Sequence, residues 1–119
     1  MASLIASHSS VALDRPVWVE LGRVDLVPRG QGRCFTVGRF RIAVFRARDD
    51  TVGALQNACP HQGGPLADGV LGAGMVVCPL HTHRFRVADG AGVDTTLSAR
   101  SFAVEVRAGA IFVAIPADA

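Results

Sequence analysis

The chain has 119 residues, enough for one domain with its own hydrophobic core. Half the residues are hydrophobic, yet no run approaches the roughly 18 apolar residues that a membrane span needs. The net charge is +2, with both signs scattered, and every one of the 12 basic residues is arginine, so a nucleic-acid footprint and a membrane role are not expected.

Residues 1–15 are rich in Ser and Ala and lack a basic n-region, a twin arginine or a long apolar core. They read as a flexible tail rather than a signal peptide, with His8 solvated in it. The domain is expected to occupy 16–119. Val17 to Leu21 alternates as a half-buried strand does. Gly22 to Gly32 is rich in turn residues. Arg33–Val37 and Arg39–Arg46 predict a hairpin around Gly38, with Phe40, Ile42 and Val44 on one face and Ala43 and Phe45 on the other. Cys34, in the first arm, reads as a small apolar core residue. Arg48-Asp49-Asp50 is a turn, and Thr51–Gln56 is a strand leading to Cys59.

From Cys59 the pattern changes. Cys59-Pro60-His61 and Cys78-Pro79-Leu80-His81 are two similar half-motifs separated by 16 residues. Two thiolates and two imidazoles arriving in the order C, H, C, H form a ligand set. The spacing is that of a Rieske [2Fe–2S] centre, C-x-H followed by C-x-x-H. A Cys2His2 zinc site uses the same side chains, but it groups its cysteines before its histidines, at wider spacing. A Cys59–Cys78 disulfide would leave both histidines without a role. Pro60 and Pro79 stiffen the loops, and Gly63-Gly64-Pro65 suits a tight turn. His83, two residues past His81, falls outside the completed set and reads as a ring packed over the loop. Arg84 and Arg86 read as a solvated strand face.

Beyond this stretch, Ala88–Gly92 is a turn and 91–100 is irregular. Phe102–Val106 and Ala110–Ile115 predict a second hairpin around Ala108-Gly109, with Phe102, Val104 and Val106 on one face. Helical periodicity is nowhere sustained. The expected fold is all-β, an antiparallel sandwich or barrel with the two loops at one end. Three cysteines, two of them in the half-motifs, leave no disulfide framework, so a cytoplasmic location is expected.

On these residues the chain resembles the Rieske ferredoxins. The resemblance implies a [2Fe–2S] cluster with Cys59 and Cys78 on one iron and His61 and His81 on the other. It also implies a small cluster-binding subdomain, about 57–88, inserted into a larger β base. No catalytic residue is expected, because a cluster with four protein ligands has no open position, and the leftover His8 and His83 cannot build a second iron site. The runs Ile42–Arg46, Ala58–Leu66 and Cys78–His81 look most like the small subunit of assimilatory NAD(P)H nitrite reductase, over about 17–115. That likeness implies a large catalytic subunit as redox partner, carrying the sirohaem, [4Fe–4S], flavin and nicotinamide sites. The alternatives are the ferredoxin component of an aromatic-ring dioxygenase system and a structural or sensor iron–sulfur module. High-potential respiratory Rieske proteins carry a loop disulfide at positions matching Gly64 and Leu80, and Ser and Tyr hydroxyls at positions matching His83 and Phe85. This chain has none of these, which implies a low potential.

Overall fold

The computed structural model describes residues 16–60, 63–80 and 83–116. The expectations for the 1–15 tail, His8, His61 and His81 therefore lie outside the described residues. Among the described residues ten strands run in chain order: β1 (Pro16–Arg23), β2 (Gln31–Val37), β3 (Phe40–Arg46), β4 (Val52–Gln56), β5 (Val70–Gly72), β6 (Met75–Val77), β7 (Arg84–Arg86), β8 (Ser101–Phe102), β9 (Val104–Arg107) and β10 (Ala110–Pro116). The described residues also form two single 3-10 turns, Val24–Leu26 and Leu66–Asp68. The fold is all-β, as the absence of helical periodicity predicts, and every strand pairing is antiparallel.

Three sheets form, ordered β1-β10-β9, β2-β3-β4-β8 and β5-β6-β7. The second is the middle layer, and the alternation along β3 explains why. Phe40, Ile42 and Val44 join Ile111, Val113 and Ile115 of β10 in one core. Ala43 and Phe45 join Leu66, Val76 and Phe85 in another. A strand with both faces covered reads as a continuous apolar run, which is what Phe40–Phe45 shows, with Arg41 as its exposed exception. The β2–β3 hairpin turns at Gly38, whose φ of 57° lies in the left-handed region that glycine adopts without strain.

The second hairpin forms around Ala108-Gly109 as expected, but its first arm differs from expectation. Phe102–Val106 is not one strand, because it breaks at Ala103. Phe102 pairs with Ala54 in the middle sheet, and Val104 pairs with Val113 in the outer one. The chain crosses from one sheet to the other there, and the Ala103 carbonyl accepts a bond from the Ala114 amide at 2.9 Å. Phe102 and Val104 still serve the same core, but Val106 is exposed. The third sheet had no counterpart in the sequence reading except the Arg84–Arg86 face. Its strands are three residues long, too short for a period-2 pattern to stand out.

Arg46 closes one end of the middle layer. It is 9% exposed, and its Nη1 donates to the carbonyls of Val24 and Val27 at 3.4 and 3.1 Å. Its Nε donates to Asp50 at 2.9 Å, so the buried charge meets a carboxylate as well as carbonyls.

Candidate metal centre

β4 delivers the chain to the first loop and β6 delivers it to the second. After β4, the Asn57 amide donates to the Arg41 carbonyl at 2.8 Å, and the side chain of Asn57, 8% exposed, accepts from the Ala67 amide at 2.7 Å. Asn57 therefore clamps the entry of the loop to the 3-10 turn that follows it. Two residues later the loop closes on itself. The Cys59 amide donates to the Gly64 carbonyl at 2.8 Å, and the Gly63 amide donates to the Cys59 carbonyl at 2.6 Å. Gly63 has φ +77°, a conformation that a side chain would strain.

The second loop is closed in a similar way, by the Cys78 amide donating to the His83 carbonyl at 3.0 Å. Each closure brackets in sequence one of the two histidines of the half-motifs. Asp94 holds the far end of this loop. Its Oδ1 accepts from the Arg84 amide at 3.1 Å and lies 3.5 Å from His83 Nδ1, while its Oδ2 lies 3.6 Å from Arg84 Nε. The Arg84 amide, with the Arg84 guanidinium and His83 in support, holds the Asp94 carboxyl below the usual carboxylate range. His83 thus sits at the loop base beside Asp94 and is partly exposed.

Cys59 and Cys78 are each 2% exposed and share one core with Leu55, Leu66, Val76 and Phe85. Neither is in a disulfide. The loops touch where Gly64 meets Leu80 and Cys78: a Cβ on Gly64 would stand 2.9 Å from Leu80 Cγ and 3.3 Å from Cys78 Sγ. The second cysteine's sulfur therefore lies against the backbone of the first loop. Two buried sulfurs in apolar surroundings are costly as bare thiolates. Bound to iron, their charge is met by the metal, so burial and donor type both fit a thiolate-held cluster. Cys34, by contrast, packs from β2 against the edge of this core as a partly buried apolar residue.

Sequence reasoning missed Asn57 and Asp94. Asn57 carried a faint signal, since an Asn at a strand end commonly bonds nearby backbone. Asp94 carried none, because only the fold brings it to a loop ten residues upstream.

Comparison with known proteins agrees with this arrangement. Residues 17–106 match the family model described as Rieske [2Fe-2S] domain. Over 81 residues the chain is 30% identical to the ferredoxin component of the naphthalene 1,2-dioxygenase/salicylate 5-hydroxylase systems of Ralstonia sp., covering 68% of this chain and 77% of that protein. It is 35% identical to the oxygenase component of dicamba O-demethylase from Stenotrophomonas maltophilia, in a match that covers 60% of this chain but only 24% of that protein. Among solved structures, the ferredoxin of carbazole 1,9a-dioxygenase from Nocardioides aromaticivorans IC177 superposes with a TM-score of 0.76 at 32% identity, covering 85% of this chain and 98% of that one. A candidate NADH-dependent nitrite reductase small subunit from Mycobacterium tuberculosis gives 0.79 at 28% identity, covering 85% and 96%.

Proposed function

This chain belongs to the Rieske [2Fe–2S] domain family, and from that footing we propose that it is the electron-transfer component of a multicomponent oxidoreductase, with Cys59, His61, Cys78 and His81 as the cluster ligands. The observation that carries the reading is the pair of buried cysteines, outside any disulfide, at the heads of two backbone-closed loops in contact at Gly64 and Leu80. When bound, a cluster held by four protein ligands accepts and passes one electron at a time. The chain's own part is to bury the sulfurs, to keep water from them with Phe85 and Leu66, and to hold the loops in register through Asn57 and Asp94.

The first assignment is the small subunit of an NAD(P)H-dependent nitrite reductase, working in the cytoplasm beside a large catalytic subunit. The TM-score of 0.79 and the near-complete coverage of the mycobacterial small subunit support it. The ferredoxin role in a ring-hydroxylating dioxygenase is the second reading, favoured by the 32% identity to the carbazole dioxygenase ferredoxin and by the Ralstonia relative.

The test is direct. Aerobically purified protein should carry about two iron and two acid-labile sulfide per chain. Cys59→Ser or His81→Cys should remove or alter the visible and paramagnetic spectra. Stoichiometric zinc without sulfide, in protein made with ample iron, would reject the cluster. Stable co-purification with a sirohaem-containing subunit identifies the nitrite reductase role, and transient reduction of a Rieske oxygenase identifies the other.

A further inference from the structure

Arg39, Arg41 and Arg100 converge on one groove of about 410 Å³ that runs up to the first loop, where Asn57, Ala58 and Gly63 form its wall. All three guanidinium-bearing residues are exposed. The ion pairs among the described residues engage Arg29, Arg46, Arg84, Arg86 and Arg107, and none engages these three.

Their placement is built rather than loose. The guanidinium of Arg100 stands 5.1 Å from the ring centroids of both Phe40 and Phe102, and that of Arg39 stands 5.5 Å from Phe40. The two rings, 7% and 8% exposed, lock edge to face at 5.7 Å. Cation–π contact thus fixes two of the arginines on a rigid base. The backbone ties all of this to the loop: the Gln56 amide donates to the Arg100 carbonyl at 2.7 Å, and the Asn57 amide donates to the Arg41 carbonyl.

We propose that this arginine groove docks an acidic segment of the protein that exchanges electrons with this chain, and so brings that protein to the Cys59 loop. The inference rests on the electron-transfer reading above. Three like charges, with no carboxylate among the described residues that line the groove, raise the potential over it, and such a field steers an oppositely charged partner and raises its on-rate. A small oxyanion is the poorer occupant. The three cations are open to solvent rather than enclosed, and the buried polar group of the groove, the Asn57 side chain, is already bonded to Ala67.

The probe is an acidic flavodoxin in its hydroquinone form, and the measurement is the second-order rate at which it reduces the holoprotein in stopped flow. With the wild type, the rate should fall steeply as ionic strength rises from about 0.01 to 0.3 M, because screening shortens the field. The variant R39Q/R41Q/R100Q should lose about tenfold at low salt and show a flattened salt dependence. The control R23Q/R33Q/R48Q removes the same charge outside the groove and should stay within about twofold of wild type. Equal losses in both triple variants, or none in either, overturn the proposal. Saturable competition by millimolar inorganic phosphate overturns it as well, since the groove is then a small-ion site. If the groove triple fails to fold, as judged by visible circular dichroism, Arg41→Gln serves instead, since Arg41 is in none of the ring contacts. It should slow the reaction about two- to threefold, and an unchanged rate counts against the groove. A wild-type holoprotein that dithionite cannot reduce sinks the electron-transfer reading itself, a failure separate from any groove result.

Discussion

Gly64 lies against Leu80, with the position of a Cβ on Gly64 only 2.9 Å from Leu80 Cγ and 3.3 Å from Cys78 Sγ. The two loops of the centre are in contact through a residue that has no side chain to spare. Gly64→Ala should therefore push on both. The Leu80 side chain is exposed and can turn away, but the buried sulfur of Cys78 cannot. Overpacking of this kind costs about 1–3 kcal/mol. The variant should bind less iron per chain and melt several degrees lower, as iron assay and a thermal scan by visible absorbance would show. A fully loaded variant with wild-type melting would mean that the loops part easily.

Asn57 makes the second prediction. Asn57→Ala deletes the acceptor for the Ala67 amide, which then lies buried without its partner. The cost of such an orphan is about 1–3 kcal/mol. Because the clamp joins the first loop to the 3-10 turn, its loss should raise hydrogen exchange in 57–68 more than in β1 and β10. Uniform exchange across the chain would place the effect elsewhere.

The third concerns pH. The bidentate contact from Arg29, at 2.7 and 3.1 Å, holds the Asp50 carboxyl below its ordinary value, and Arg46 adds to it. A carboxyl depressed in the folded state contributes stability above its unfolded pKa, about 3.9, and loses it as pH falls through the lower folded value. Asp50→Asn should therefore be less stable than wild type at neutral pH and converge with it in acid below about pH 4. Asn tolerates the left-handed φ of 72° at this position, so backbone strain does not confuse the comparison. Urea midpoints by far-ultraviolet circular dichroism at several pH values would check it. A gap that stays constant into acid would exclude the carboxylate as its source.

Phe85 carries the fourth. It is fully buried in the core that holds both cysteines, and it brings no hydroxyl there. Rieske potentials span roughly −150 to +300 mV, and donors to the sulfurs raise them by stabilising the more negative reduced state. The midpoint should lie near the low end, around −150 mV. Phe85→Tyr should raise it, and protein-film voltammetry near neutral pH would show the change. A wild-type value well above zero would mean that other donors already serve the sulfurs.

The two half-motifs, C-x-H and C-x-x-H, were legible in the sequence because they are a matter of residue type and short spacing, which the chain carries without folding. The same holds for the β2–β3 hairpin and its two faces: Phe40, Ile42 and Val44 against Ala43 and Phe45 follow from the period of a strand. Tertiary structure alone decided where Phe102–Val106 breaks, since the crossing at Ala103 answers to two sheets and to no local preference. It also decided that Asp94 braces a loop ten residues away, that Gly64 meets Leu80, and that Arg39, Arg41 and Arg100 share one groove. These are meetings of residues distant in the chain. They depend on register and layer order, which short-range pattern does not encode.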